Sequence, residues 1–375
     1  MRRGAAEACP IPIEASLVDN GEGMIDRGEL VRRLALNVAR YSLLAPLAGR
    51  YFVGVGAILM LHRITDAPNT RIGVNRHLSV TPAFLDVVLT QVRALGYRFV
   101  SMDEAVERMR GRRSSERFVT LTADDGYRDN LTEALPVLER HEAPFTIYVA
   151  PALTEGSAIL WWDVIEEIVS RRDVVYLPTP SGRVTIDCPD PASKYRANRE
   201  LHNYLTRVVR EEDQFSVVRD LALSSGVDPD APGRDTLMNW EELRRIADHP
   251  LITIGAHTVH HYNLKRLGED KARRELVDSA RILEIELGRK PAHMAYPYGY
   301  ETAVGPREVA LAAEAGYASA VTTRHGMLQA EHADHLHALP RISVNGRYQR
   351  VAHLRTMLSG ITTPIANRGR RVVTV

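Results

Sequence analysis

Short apolar runs alternate with stretches of helical period along most of this chain. The run Ala57-Ile58-Leu59-Met60-Leu61-His62-Arg63 predicts a buried strand. A helix is expected over 81–95: Thr81 can cap it, Pro82 suits its first turn, and Leu85, Val88, Leu89, Val92 and Leu95 mark one face. A short strand at 98–101 and a helix at 102–109 follow. Next come a strand at Phe118-Val119-Thr120-Leu121-Thr122, a helix over 130–141 and a strand at 145–149. The rhythm returns further on with a helix at 240–247, a strand at 251–255 and a helix over 270–287. Three more strands are expected near 292–296, 317–322 and 336–344. About eight strands alternating with helices predict an α/β chain with a parallel, barrel-like sheet. No internal repeat is visible.

Between 155 and 238 the rhythm breaks. This stretch holds the turn-rich Pro178-Thr179-Pro180-Ser181-Gly182 and Pro189-Asp190-Pro191, and a charged helical region over 194–223. It reads as an insertion on the scaffold and not as an independent domain. Upstream, Leu30, Leu34, Val38 and Tyr41 recur at helical spacing with Arg32, Arg33, Asn37 and Arg40 between them. Two readings stand for this helix over 29–51: packing on the domain, or a basic helix lying on a membrane surface. The expected organisation is a leader and amphipathic helix at 1–50, a main domain at 51–360, and a basic tail at 361–375.

Composition adds bounds. The 375 residues are 45% hydrophobic and 25% charged, with 48 basic and 47 acidic side chains. That balance gives no support for nucleic-acid binding. Cys9 and Cys188 lie far apart, which argues against a disulfide scaffold. Acidic residues interrupt the N-terminal stretch where a secretory signal needs an apolar core. The expected location is therefore cytoplasmic, with peripheral attachment at the inner membrane as the extension of the amphipathic-helix reading.

The chemistry concentrates at two strand ends. Asp124-Asp125-Gly126 closes the apolar run at 118–122. Adjacent carboxylates repel, and a buried one must be paired, hydrogen-bonded or bound to a metal. Gly126 lets the backbone turn where the strand stops. The second strand end carries His257-Thr258-Val259-His260-His261. His257 and His261 are four apart, which on a helical turn places both imidazoles on one face. Two imidazoles and one carboxylate suit zinc, cobalt, nickel or iron, zinc foremost, and leave positions open for water and substrate.

Thr122-Ala123-Asp124-Asp125-Gly126 resembles the Thr-Phe-Asp-Asp-Gly motif of the polysaccharide deacetylases, carbohydrate esterase family 4. His257-Thr258-Val259-His260-His261 is similar to that family's His-Ser/Thr-x-x-His motif, and Tyr296-Pro297-Tyr298-Gly299 to its third motif, Arg-x-Pro-Tyr/Phe-Gly. The three stand in the family's order. The resemblance implies a distorted (β/α) barrel of seven or eight strands carrying the inserted segment. It implies a divalent metal on Asp125, His257 and His261, with Asp124 as the general base toward the attacking water. It also implies an N-acetylated carbohydrate substrate, with the Tyr298 backbone N–H stabilising the oxyanion and Pro297 fixing the chain before it.

The chain departs from the pattern too. Ala295 stands where the third motif has its arginine, the usual partner of the catalytic aspartate, and Arg341 in Leu339-Pro340-Arg341-Ile342 is the candidate substitute. The fourth motif is not recognisable. For the general acid, His62, His325, His332, His335 and His337 are candidates. Trp161, Trp162, Trp240, Tyr298 and Tyr300 can stack on sugar rings or serve as packing. Two other function classes stay open: a hydrolase of cyclic amides on the same scaffold, and a non-catalytic carbohydrate-binding relative.

Overall fold

The apolar runs become strands covered on both faces, as parallel sheets require. In this computed structural model, which describes residues 51–67, 71–111, 116–180 and 182–375, the strands are β1 (Gly56–Leu61), β2 (Arg63–Ile64), β3 (Ser79–Val80), β4 (Arg98–Phe99), β5 (Phe118–Ala123), β6 (Phe145–Val149), β7 (Val174–Thr179), β8 (Gly182–Asp187), β9 (Ile252–Ala256), β10 (His293–Ala295), β11 (Ser319–His325) and β12 (Leu339–Ser343). Every residue of β1, β5 and β6 is buried. The order β1-β12-β11-β10-β9-β6-β5 returns to β1, because β1 pairs in parallel with both β12 and β5. Seven parallel strands therefore close a barrel. The eighth strand of the sequence reading, β4, lies on the start of β5 at Phe118 and Val119, outside the ring. It spans two residues, shorter than the 98–101 expected.

Local chemistry sets the helix ends. Thr81 accepts from the Phe84 N–H at 3.0 Å and Pro82 opens the helix Pro82–Ala94, whose Leu85, Val88, Leu89 and Val92 are buried. Asn239 and Glu242 cap each other reciprocally at the start of Trp240–Ala247. The stretch read as one helix over 130–141 opens with a π-helical turn, Asn130–Ala134, before the helix Leu135–Arg140, which has Pro136 in its first turn.

The insertion holds more regular structure than its turn-rich sequence suggests. Its charged helical region is two helices, Pro191–Arg207 and Gln214–Ser224. The turn-rich stretch is the tip of an antiparallel hairpin, β7 with β8. Together with the helix Trp161–Arg171 they enclose a core of their own, including Val164, Ile168, Val175, Leu201, Leu205 and Leu221. The expected basic tail is not loose. It forms the helix Thr362–Ala366, and Val373 is buried while its carbonyl meets His332 Nε2 at 3.1 Å. The leader, Cys9 and all but the last residue of the amphipathic helix at 29–51 lie outside the described residues. Among the described residues no helix is long and apolar enough to cross a membrane.

Candidate active site

The groups that gather around Asp124 and Asp125 sit at or near the carboxyl ends of barrel strands, where barrel enzymes place their chemistry. His62 follows β1, Asp124 and Asp125 follow β5, His257 follows β9, and Tyr298 lies just beyond β10. Arg341 is carried inside β12.

The turn after β5 separates the two acids. Asp125 and Gly126 have φ of 74° and 72°, so the chain reverses there and the carboxylates diverge. Asp125 Oδ1 lies 3.5 Å from His257 Nε2 and 3.2 Å from His261 Nε2, with all three residues buried. The histidines are not on a helical turn as the spacing suggested. They occupy an irregular loop in which Thr258 and His261 take φ of 60° and 59°. That left-handed backbone, not helical periodicity, brings both rings to one point.

The protonation pattern favours a cation there. His257 Nδ1 lies 2.8 Å from the Ala295 carbonyl, so it donates and leaves Nε2 as a lone pair toward Asp125. Burial lowers the proton affinity of His261. Asp125 is buried against both imidazole rings. Its Oδ1 has no hydrogen-bond donor among the described residues. Three buried acceptor atoms converging without a donor fit a divalent metal.

Asp124 has a different environment. Arg341 grips it in a fork, Nη1 to Oδ1 and Nη2 to Oδ2, both at 2.7 Å, with the two side chains 0% and 3% exposed. Arg341 Nε also donates to the Thr322 carbonyl at 2.9 Å, and Nη1 to Thr122 Oγ1 at 3.2 Å. The Thr322 contact falls where β11 and β12 slip register between Val321 and His325. Burial opposes ionisation of Asp124, yet the guanidinium prevails and lowers its pKa. Arg341 thus meets the carboxylate left without its usual partner by Ala295.

His62 Nε2 lies 3.9 Å from Asp124 Oδ2, and its side chain is 22% exposed. The other histidine candidates make contacts elsewhere: His325 with Thr362 Oγ1, His332 with Gln329 and Val373, and His337 with the Tyr317 carbonyl. None of the contacts of His335 reaches the two acids.

The aromatic candidates divide. Trp161 is 2% exposed, inside the insertion's core, so it cannot stack on a sugar; its indole N–H instead donates to the Tyr298 hydroxyl at 3.1 Å. Trp162 is half-buried with its ring 5.0 Å from that of His261. Pro297 and Tyr298 are half-buried, and the Tyr298 ring lies 5.3 Å from that of His261. Among the described residues nothing accepts from the Tyr298 N–H.

Two groups went unread in the sequence. Asp163 is buried and accepts from Asn75 Nδ2 at 2.9 Å; burial, with Glu166 and Asp125 nearby, pushes its carboxyl up to about 7. Glu275 is 2% exposed and touches the histidine loop. Its signal was available: an acid beside the apolar stripe Ala272, Leu276, Ala280 and Leu283.

A family model described as polysaccharide deacetylase matches residues 111–177 and 230–320. The gap between the two segments falls within the insertion. No curated relative matches the chain in sequence. Among solved structures, the chain is similar to the Streptococcus pyogenes deacetylase PplD, solved in complex with acetate: 20% identity over 80% of this chain and 97% of that one, TM-score 0.52. It is also similar to a polysaccharide deacetylase of Bacillus cereus, at 16% identity over 81% and 68% of the two chains, TM-score 0.50. At such identities the likeness is one of fold.

Proposed function

Since the chain belongs to the polysaccharide deacetylase family, hydrolases of the amide C–N bond of N-acetyl groups, we propose that it removes acetyl groups from an N-acetylated sugar, oligosaccharide or polysaccharide using a divalent metal, zinc foremost. One observation carries this reading: the acceptor triad Asp125, His257 and His261 stands beside a second buried carboxylate held by Arg341. A metal-binding module without catalysis has no use for that second acid.

A cation held by the triad supplies Lewis acidity toward water and the acetamide carbonyl. The remaining work falls to the chain. Asp124 takes the proton from the attacking water as its oxygen bonds to the carbonyl carbon. Arg341 fixes the direction of that carboxylate and keeps it ionised. The Tyr298 N–H, with no competing acceptor among the described residues, donates to the oxygen on which negative charge develops. His62, against Asp124 and reachable from solvent, gives a proton to the departing nitrogen as the C–N bond breaks. The products are acetate and a free amine. Trp162 and Tyr298 supply faces for the sugar ring.

Acetate release from N-acetylglucosamine oligomers tests this. Chelator-treated protein should be inactive and recover with zinc, cobalt, nickel or iron. Full activity after chelation, or no acetate with any of these metals, contradicts it.

A further inference from the structure

The loop that carries both histidines contains two residues in left-handed backbone, and neither Thr258 nor His261 is a glycine. Such a conformation persists only where the surroundings impose it. The surroundings here include the Ala152 N–H, which donates to the Val259 carbonyl at 3.0 Å, and one face of the helix Glu269–Leu287. Glu275 Oε2 accepts from the Val259 N–H at 3.0 Å and the His260 N–H at 2.9 Å. Its Oε1 lies 2.7 Å from His260 Nδ1. One turn on, Ser279 Oγ donates to the Thr258 carbonyl at 2.9 Å. Ala272, Leu276, Ala280 and Leu283 fasten the same helix to the barrel, so these polar groups have a rigid base.

We propose that Glu275 and Ser279 are positioning residues for the metal site: they clamp the backbone of 258–260 so that His257 and His261 face one ion. The inference rests on the metal reading above. Glu275 is not itself a ligand, because both its oxygens are engaged by the loop. Its carboxylate makes charge-assisted bonds to consecutive backbone N–H groups, which fixes their direction more firmly than neutral acceptors do. The clamp spans the residues between the two ligands, so releasing it lets the imidazoles move independently. Outer partners of metal ligands typically alter affinity by about 10–100-fold when replaced.

Co2+ is the probe, because its visible absorption reports coordination geometry and its titration gives an affinity without any turnover. Glu275→Gln keeps the side chain's shape, yet one amide end must present N–H to donors. It should bind Co2+ about 10–100-fold more weakly than wild type and show a changed absorption envelope, measured below the variant's melting temperature. Ser279→Ala, which frees only the Thr258 carbonyl, should show a smaller loss in the same direction. A residue that merely supports the fold lowers the melting temperature and leaves Co2+ affinity and spectrum unchanged; that result for Glu275→Gln overturns the proposal. Should Glu275→Gln fail to fold, unchanged Co2+ binding by Ser279→Ala overturns it. A wild-type protein that takes up no Co2+ contradicts the metal reading itself.

Discussion

Asp124 and Asp125 are neighbours in sequence with opposite surroundings. Asp125 meets two imidazoles and Asp124 a guanidinium, and the left-handed backbone at Asp125 and Gly126 turns them apart. Removing one partner of a buried ion pair leaves an uncompensated charge, which costs about 3–5 kcal/mol. Arg341→Ala should lose that much stability in urea unfolding, with a fall in kcat as well. A loss below about 1 kcal/mol is what an exposed pair gives and contradicts the buried fork. Asp163 offers a second test. Its carboxyl ionises near 3.8 in an unfolded chain and at about 7 in the fold. Between those values the folded state holds the extra proton, so this group makes stability fall as pH rises from about 4 to about 7. Asp163→Asn removes that titration. Denaturant melts of metal-free protein across this range should then show stability falling less, or rising more, with pH than in wild type, and an unchanged slope contradicts the assignment.

The third motif owes its glycine to packing. A Cβ on Gly299 comes within 2.3 Å of the Thr323 nitrogen and 2.8 Å of the Thr322 backbone, neither of which can rotate away. Thr323 N–H also donates to the Gly299 carbonyl at 3.1 Å, tying the Tyr298 loop to β11. Gly299→Ala should push that loop off the strand, costing about 1–3 kcal/mol as overpacking does. It should also lower kcat, since the Tyr298 N–H moves with the loop. Stability and kcat equal to wild type contradict this placement. Elements of this kind differ in how much the sequence discloses. Helix boundaries at Thr81 and Asn239 are written in capping chemistry, and β1 and β5 in uninterrupted apolar runs. The β7–β8 hairpin was missed because its residues are mostly exposed and the Pro and Gly of its tip dominate the pattern. The histidine loop was misread because spacing of four suits a helix, whereas tertiary bonds from Glu275 decide the backbone.

Barrel closure turns separate motifs into one site. Pairing of β1 with both β5 and β12 brings His62, Asp124 and Arg341 together although Arg341 is 217 residues from Asp124. The Asp125, His257 and His261 trio and the carboxylate pair were legible as motifs, and the fold brings the trio together. The arginine could be named from its place in the last strand, but its fork on Asp124 depends on the irregular β11–β12 register, which leaves no local trace. The insertion is tied to the barrel site by Trp161 on Tyr298 and by Asn75 on Asp163 and the Trp162 carbonyl. In the proposed mechanism Asp125 holds the metal and Asp124 takes the proton. Acetate release by Asp124→Asn, measured beside its bound-metal content, tests that division most directly. Metal content should stay at the wild-type level while activity falls about 100- to 10,000-fold, the usual contribution of a general base; an unimpaired variant, or one that has lost its metal, contradicts the proposed roles.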